Sequence, residues 1–386
     1  MVVTPANRAY PALPAAAPHR YVALDSLRGI AALAVVVFHL QVREGFPQWA
    51  FFRASNQFVD FFFVLSGFVI AASYGDRLAA GFSPRRFFAL RLGRVYPLHL
   101  AMVLAGVALE CVASAFGPHG LAPQGVFAGQ HSPGHALRAL FLLDGLFVDR
   151  GNAYSGASWS ISVELVLYAL AIVAFRLRMG GAALLLGLGL AGLLSQASGF
   201  EAPVFTGSVQ RGLAGFGCGV GCWWLHRARG GAPLPLAVWL EPLALTGLLA
   251  AIGFAPLFGH YELIVVPAAL VVLVFAGEAG PVARGLQARP FVWLGTISYA
   301  IYMVHGFVLA RLFDVAVVLT RGLAHPMVEL AWSNGVPVRR LAMSPAANNM
   351  LCVALIAVVL VVAHGAWRWV EEPCRQWSRR MVEAGG

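Results

Sequence analysis

Long apolar runs separated by short polar segments extend along most of the chain from residue 21 onward. A membrane-spanning α-helix needs about 20 predominantly apolar residues, because each residue advances the helix by about 1.5 Å through a hydrocarbon core about 30 Å thick. The pattern therefore predicts an all-α polytopic membrane protein with about ten transmembrane helices. The predicted spans are residues 22–41, 57–74, 96–116, 159–177, 182–199, 206–225, 235–254, 261–277, 291–312 and 348–369.

The loops between these spans carry unequal numbers of arginine. When the N-terminus is placed on the inner side, the inner segments hold nearly twice as many arginines as the outer ones. Positive residues concentrate in cytoplasmic loops, so both termini are predicted to face the cytoplasm. The predicted organisation is a disordered N-terminal lead over 1–20, a membrane domain over 21–370 and a cytoplasmic C-terminal tail over 371–386.

The composition agrees with this class: 59% of the residues are hydrophobic and only 11% are charged. The net charge of +10 comes from arginines scattered between apolar spans, which serve as topology signals, so no nucleic-acid partner is expected. The five cysteines form no CxxC pair, and neither a disulfide framework nor a metal site is expected.

The first span contains two ionisable residues, Arg28 and His39. Their separation is close to three helical turns, so they share one helix face about 16 Å apart. Ionisable residues inside a membrane segment are costly and are usually functional, which makes the pair a candidate site. The alternative interpretation is that Arg28 extends to the headgroups and His39 lies at the interface.

Two further spans contain a carboxylate. Asp60 lies near the outer end of the second span, where it could pair with His39 or Arg43, or could be a hydrated acid at the interface. Glu164 lies in the fourth span, at a depth where a carboxylate needs a partner, and a transmembrane histidine or arginine is the natural candidate.

The densest basic segment, SPRRFFALRLGRVYP, precedes the third span. Arg91 and Arg94 share a helix face, and Arg85 and Arg86 lie one to two turns upstream. Guanidinium groups bind phosphates in a bidentate geometry that an ammonium group does not offer, so this cluster is a candidate phosphate site. Anchoring at an anionic leaflet is the alternative.

The ninth span carries a polar stripe, because Ser298, Tyr302 and, less closely, His305 fall on one helix face. Such hydroxyl groups either hold helices together or line a path for a ligand. Small residues elsewhere, the Ser66-Gly67 pair in the second span and the GxxxG pair Gly215 and Gly219 in the sixth, predict close helix packing. The closing segment WRWVEEPCRQWSRR is interpreted as an interfacial anchor.

Several of these blocks together resemble one family, the membrane-bound acyltransferase 3 family. The similar blocks are DSLRGIAALAVVVFH, VDFFFVLSGFVI, RLGRVYP, WSISVELVLY, LGTISYAIYMVH and VEEP, in the family's order. The resemblance implies a ten-helix protein that moves an acyl group, usually acetyl, from cytoplasmic acyl-CoA to a hydroxyl group of a glycan or another acceptor. Longer relatives carry a fused SGNH hydrolase-like domain, which is not expected in this chain.

The resemblance also implies roles for individual residues. The family's arginine–histidine pair matches Arg28 and His39, and its Arg-x-x-Arg element for coenzyme A matches Arg91 and Arg94. Its Ser-x-x-x-Tyr element matches Ser298 and Tyr302, and the glutamate of its WSLSVE block matches Glu164. The implied partners are acetyl-CoA as the donor, a hydroxyl acceptor and membrane lipids. The implied location is the bacterial cytoplasmic (inner) membrane.

In the expected mechanism His39 takes the proton of the attacking hydroxyl group, and Asp60 or Glu164 fixes its tautomer. Ser298 or Tyr302 bonds the thioester oxygen or the acceptor. An acyl-histidine intermediate is an open alternative. Two rival functions also remain, a transporter or flippase of a lipid-linked sugar and a non-catalytic membrane assembly partner.

Overall fold

A computed structural model describes residues 19–116, 127–147, 154, 156–177, 179–320, 322–323, 327–333 and 336–384. Nearly all of the predicted N-terminal lead, residues 1–18, lies outside the described residues. Within the described part, the chain forms fourteen α-helices and one two-stranded antiparallel sheet. The helices are α1 (Val22–His39), α2 (Ala50–Arg53), α3 (Phe58–Ala79), α4 (Pro84–Phe116), α5 (Pro133–Leu140), α6 (Ser158–Arg176), α7 (Met179–Ser198), α8 (Gly207–Ala228), α9 (Ala237–Phe258), α10 (Val265–Phe275), α11 (Pro281–Leu286), α12 (Arg289–Leu319), α13 (Pro345–Ala366) and α14 (Glu372–Ala384).

The predicted fold class is confirmed: the protein is an all-α polytopic membrane protein. Each predicted span coincides with a helix, and among the described residues eight helices are long and apolar enough to cross a membrane. Of the other two, α8 is long enough, but its glycines and arginines lower its hydropathy. The second exception is α10, which together with a preceding 3₁₀ turn forms only the short apolar helix Tyr261–Phe275.

Segments predicted on the same side of the membrane meet in the structure. On one side, the Ala23 backbone N–H donates to Glu278 Oε1 over 2.9 Å, and Arg227 pairs with Asp76. On the other side, the Phe46 N–H donates to Asn349 Oδ1 over 2.9 Å. These contacts agree with helices that cross in alternating directions. The two faces are called the Arg28 side and the His39 side, after the ends of α1 at which those residues lie.

A β-hairpin on the His39 side was not predicted from the sequence. Strands β1 (Val328–Ser333) and β2 (Val336–Leu341) pair in antiparallel register, with Val328 opposite Leu341. The Arg43 N–H donates to the Leu341 carbonyl over 2.7 Å, which ties the hairpin to the segment that follows α1. The available signal in the sequence is the Asn-Gly pair at positions 334 and 335 between two short runs, a pair that is typical of a hairpin turn.

Glycines bring four helices into backbone contact. A side chain at Gly67 of α3 would overlap the Phe216 carbonyl of α8, and one at Gly219 of α8 would overlap the Val64 carbonyl of α3. The packing role predicted for Gly67, Gly215 and Gly219 is therefore confirmed. Helices α1 and α12 approach in the same way at Gly29 and Gly295, a contact that the sequence analysis did not identify.

We predict that Gly219→Ala lowers the apparent melting temperature in detergent, because the added methyl group must displace the α3 backbone, at a cost of about 1–3 kcal/mol. The matched control is Gly187→Ala in α7, where a side chain would meet nothing within 4 Å. That variant should melt at or slightly above the wild-type temperature, since alanine favours a helix over glycine. Equal melting of both variants would contradict the close α3–α8 contact.

Candidate active site

Two cavities lie along the same five helices, α1, α3, α4, α6 and α12. The arginine cavity, on the Arg28 side, has a volume of about 130 Å³. The histidine cavity, on the His39 side, has a volume of about 380 Å³. Val59 and Tyr302 line both cavities, so the two cavities meet at these side chains. The polar stripe of α12 follows this arrangement: Ser298 lines the first cavity, Tyr302 lines both and His305 lines the second.

Arg28 is held in the arginine cavity by α12 and by its own helix. Its Nε donates to Ser298 Oγ over 2.9 Å, and its Nη2 donates to the Gly295 carbonyl over 3.3 Å. Asp25 Oδ1 lies 3.2 Å from Nη2, one turn back along α1. Ser298 Oγ in turn donates its proton to the Gly295 carbonyl, so the hydroxyl group links Arg28 to the backbone of α12.

Arg91 and Arg94 line the same cavity from α4. Arg91 stacks on Tyr74, with its guanidinium carbon 4.6 Å from the ring centroid. Among the described residues neither arginine has a carboxylate within ion-pair distance, and Arg94 feels the charge of Glu371 only from farther away. Arg85 and Arg86 lie nearer the start of α4 and are not part of the cavity wall. The structure therefore divides the predicted cluster into two cavity residues and two residues outside it.

Two carboxylates belong to this end of the protein. Glu164 Oε1 accepts hydrogen bonds of 2.6 Å from Ser66 and from Tyr168. Its direct partners are therefore hydroxyl groups, whereas the sequence predicted a histidine or an arginine. Glu371, which the sequence analysis placed in an interfacial anchor, is 4% exposed, and its charge acts on both Arg28 and Arg94. Glu371 immediately precedes α14, which packs against α4 with Ser378 in contact with Gly93. This packing holds Glu371 in the protein interior.

The histidine cavity contains an ion pair at its edge that differs from the predicted one. Asp60 was expected to contact His39 or Arg43, but it pairs with Arg211 of α8. Arg211 Nε and Nη2 donate to the two Asp60 oxygens over 3.0 and 2.8 Å. The same guanidinium group lies 5.5 Å from the ring of Trp159. The bidentate geometry satisfies both charges, which accounts for a carboxylate at this depth.

His39 lines the histidine cavity and is exposed to it. Its Nδ1 lies 2.8 Å from the Val35 carbonyl oxygen and 3.3 Å from Nε2 of His305. The sequence analysis placed His305 on the polar stripe of α12 without assigning it a role. Its position seven residues after Ser298 was the available signal, but nothing in the sequence indicated that the stripe meets His39.

Tyr302 forms the boundary between the cavities. Its ring packs edge-on against Phe62, with the ring centroids 5.8 Å apart, and its hydroxyl group lies 2.9 Å from Ser160 Oγ. Ser160 donates its own proton to the Ala157 carbonyl, so the Tyr302 hydroxyl group is the donor to Ser160. Tyr302 is thus held across the passage from α12 to α6.

We predict that Asp60→Ala destabilises the protein by about 3–5 kcal/mol, because it leaves Arg211 buried without a counterion. The double variant Asp60→Ala with Arg211→Met should recover part of this loss. A matched control is Asp76→Ala, since Asp76 and its partner Arg227 have side chains that are 75% and 55% exposed. That change should cost less than about 1 kcal/mol. Melting in detergent measures all three, and a wild-type melting temperature for Asp60→Ala would refute the structural role of the pair.

Comparison with known proteins agrees with this architecture. The profile of the acyltransferase 3 family, described as an acyltransferase domain, matches residues 21–367. The acyltransferase MdmB of Streptomyces mycarofaciens is 27% identical over 92% of this chain and 93% of its own length. The YrhL protein of Bacillus subtilis (strain 168), provisionally named a peptidoglycan O-acetyltransferase, is 25% identical over 74% of this chain and 48% of its own.

A third relative, protein 2 in the picA locus of Rhizobium radiobacter, is 39% identical over 25% of this chain and 49% of its own length. The chain thus spans about half the length of this relative and of YrhL, and nearly the whole length of MdmB. No solved structure matches the chain. The family profile covers most of the sequence, and the chain belongs to the acyltransferase 3 family of membrane proteins.

Proposed function

We propose that the protein is an O-acyltransferase that moves an acyl group, most simply acetyl, from acyl-CoA in the arginine cavity to a hydroxyl group of an acceptor in the histidine cavity. One observation carries the proposal: two cavities with different chemistry meet at a single tyrosine. Three arginines line one, of which Arg91 and Arg94 have no direct ion pair among the described residues, and an accessible histidine lines the other. A donor with phosphates and an acceptor with a hydroxyl group require these two environments.

The donor end of the proposal rests on Arg91 and Arg94. Coenzyme A carries several phosphate charges, and guanidinium groups bind phosphates through charge-assisted hydrogen bonds. Arg91 and Arg94 lie at the Arg28 side, which the arginine distribution predicts to be cytoplasmic. Arg28, fixed by Ser298 and Asp25, lines the same cavity, and we assign it to the thioester end of the donor.

The acceptor end rests on His39. The acceptor hydroxyl oxygen attacks the thioester carbonyl carbon while its proton passes to His39 Nε2. The carbon–sulfur bond then breaks, the acyl ester remains on the acceptor, and the coenzyme A thiolate leaves and takes up a proton. The alternative, attack by His39 itself to give an acyl-histidine, uses the same cavity and the same nitrogen.

The acyl group has to pass Tyr302 in either version. The hydrogen bond from Tyr302 to Ser160 closes the passage, so the side chain must turn when the thioester arrives. A tyrosine hydroxyl group released from Ser160 is a donor for the thioester oxygen, on which negative charge develops during attack. Tyr302 would then both open the passage and stabilise the transition state.

One relative supports a glycan or a comparable hydroxyl compound as the acceptor. The name of the Bacillus subtilis relative refers to O-acetylation of peptidoglycan, a glycan outside the cytoplasm. Aromatic and polar side chains line the histidine cavity together, including Trp159 and Arg211, and sugar rings are bound by such surfaces. We place the protein in the bacterial cytoplasmic membrane, with the histidine cavity on the outer side.

The deciding experiment measures coenzyme A release from acetyl-CoA by purified protein in detergent, with and without cell-envelope glycan extracts. We expect release that requires an extract and that falls by about 10²- to 10⁴-fold in His39→Ala, the range for loss of a general base. Melting of the variant at the wild-type temperature controls for folding. Undiminished release by His39→Ala would refute the mechanism, and movement of a lipid-linked sugar without acetyl-CoA consumption would favour a flippase.

Arg94→Ala is predicted to raise the donor KM by about 10- to 100-fold, as expected for one charged hydrogen bond, while kcat changes less. Arg284→Ala provides the control, because Arg284 is exposed on the same side but lies outside both cavities. An unchanged donor KM in Arg94→Ala would remove this residue from donor binding, and an equal effect in both variants would indicate general surface charge.

A further inference from the structure

His305 is a second buried histidine directly beside His39. It is 3% exposed, and the centroids of the two rings are 4.7 Å apart. The closest ring atoms are His305 Nε2 and His39 Nδ1, at 3.3 Å. Among the described residues no carboxylate lies within ion-pair distance of either ring. The proposed base is therefore in contact with an imidazole from α12. In many acid–base sites the corresponding group is a carboxylate.

The two backbone contacts determine where the protons lie. His39 Nδ1 is 2.8 Å from the Val35 carbonyl oxygen, and His305 Nδ1 is 2.7 Å from the Tyr302 carbonyl oxygen. A carbonyl oxygen only accepts hydrogen bonds, so each Nδ1 must carry a proton. In neutral rings both Nε2 atoms are then unprotonated. His305 Nε2 faces the His39 Nδ1–H as an acceptor, and His39 Nε2 remains free to take a proton.

We propose that His305 is the positioning residue of the acyl-transfer site, which fixes His39 in the tautomer whose Nε2 is the proton acceptor. This inference rests on the proposed role of His39. The proton on His39 Nδ1 is shared between the Val35 carbonyl of α1 and His305 Nε2 of α12. Both acceptors stabilise the tautomer with a proton on Nδ1, and the second, which comes from another helix, also fixes the direction of the ring.

The pair also suits a site inside the membrane. A carboxylate partner would place a permanent charge at this depth, which is costly. A neutral imidazole stabilises the protonated His39 through its lone pair and needs no charge of its own. Two adjacent imidazolium rings would repel each other, so His305 stays neutral while His39 holds the proton.

A purely structural role for His305, as a packing contact between α1 and α12, predicts different behaviour. Packing depends on the volume of the side chain, whereas positioning depends on an acceptor atom at the place of Nε2. Glutamine carries its amide oxygen at about the distance of a histidine Nε2, and leucine fills a similar volume without an acceptor. The comparison of these two variants separates the roles.

We expect His305→Leu to lower kcat by about 10-fold or more, the loss of one hydrogen bond in the transition state, with the KM for acetyl-CoA unchanged. His305→Gln should recover kcat to within about threefold of wild type, a margin well inside the value of one hydrogen bond. The assay is coenzyme A release from acetyl-CoA with a glycan extract that supports wild-type turnover. Equal rates for the Leu and Gln variants would overturn the positioning role.

A second measurement requires no acceptor. Solid-state NMR of the full chain in lipid bilayers, with ¹³C,¹⁵N-labelled histidine, reports which ring nitrogen carries the proton. Comparison with His39→Asn and His305→Gln assigns the two rings. We expect both neutral rings to be protonated at Nδ1, with a contact between His39 Nδ1 and His305 Nε2. A neutral His39 protonated at Nε2 would overturn the inference.

The outcomes separate this inference from the proposed function. Full activity of His305→Leu together with loss of activity in His39→Ala overturns the positioning role and leaves the acyl-transfer mechanism intact. Full activity of His39→Ala refutes the proposed mechanism instead, and the inference falls with it even when the NMR contact between the rings is observed.

Discussion

The close contact of α1 and α12 is the constraint on which the site depends. The two helices run in the same direction and meet at Gly29 and Gly295, where a side chain on either would overlap the backbone of the other. Near one end of this helix pair, the contact allows the hydrogen bond from Arg28 to Ser298. Near the other end, it brings His39 into contact with His305. A single helix pair thus contributes to both cavities and fixes the distance between their functional groups.

Charges within the bundle fall into two groups that differ in their surroundings. Asp60 and Arg211 satisfy each other at the edge of the histidine cavity, and such a pair is tolerated because neither charge is left alone. Arg91 and Arg94 have no direct ion pair among the described residues and line the arginine cavity. Arginines are retained there at a cost that an anionic ligand would offset. In the proposed function this contrast, more than the number of arginines, separates the donor site from a framework contact.

Much of the fold followed from the sequence, because span length and small-residue spacing are local properties. The helices, the packing of Gly67 and Gly219, and the shared face of Arg28 and His39 all have local signals. The partners of Asp60, Glu164 and His39 had no local signal in the sequence. The helical period shows which face of a helix a residue lies on, but it does not show which other helix packs against that face. His305 lies 266 residues from His39, and their contact depends on how α12 packs. Glu371 is buried because of α14, a helix with the composition of a surface segment.

Tyr302 and Val59 are the wall shared by the two cavities, so in the proposed reaction only these side chains separate the donor from the acceptor. Each elementary charge that crosses a membrane involves about 2.3 kcal/mol per 100 mV of transmembrane voltage. An acetyl group is uncharged and crosses without electrical work, whereas the phosphates of its carrier would not. In the proposed reaction the protein therefore exports a chemical group and leaves the charged molecule that carried it in the cytoplasm.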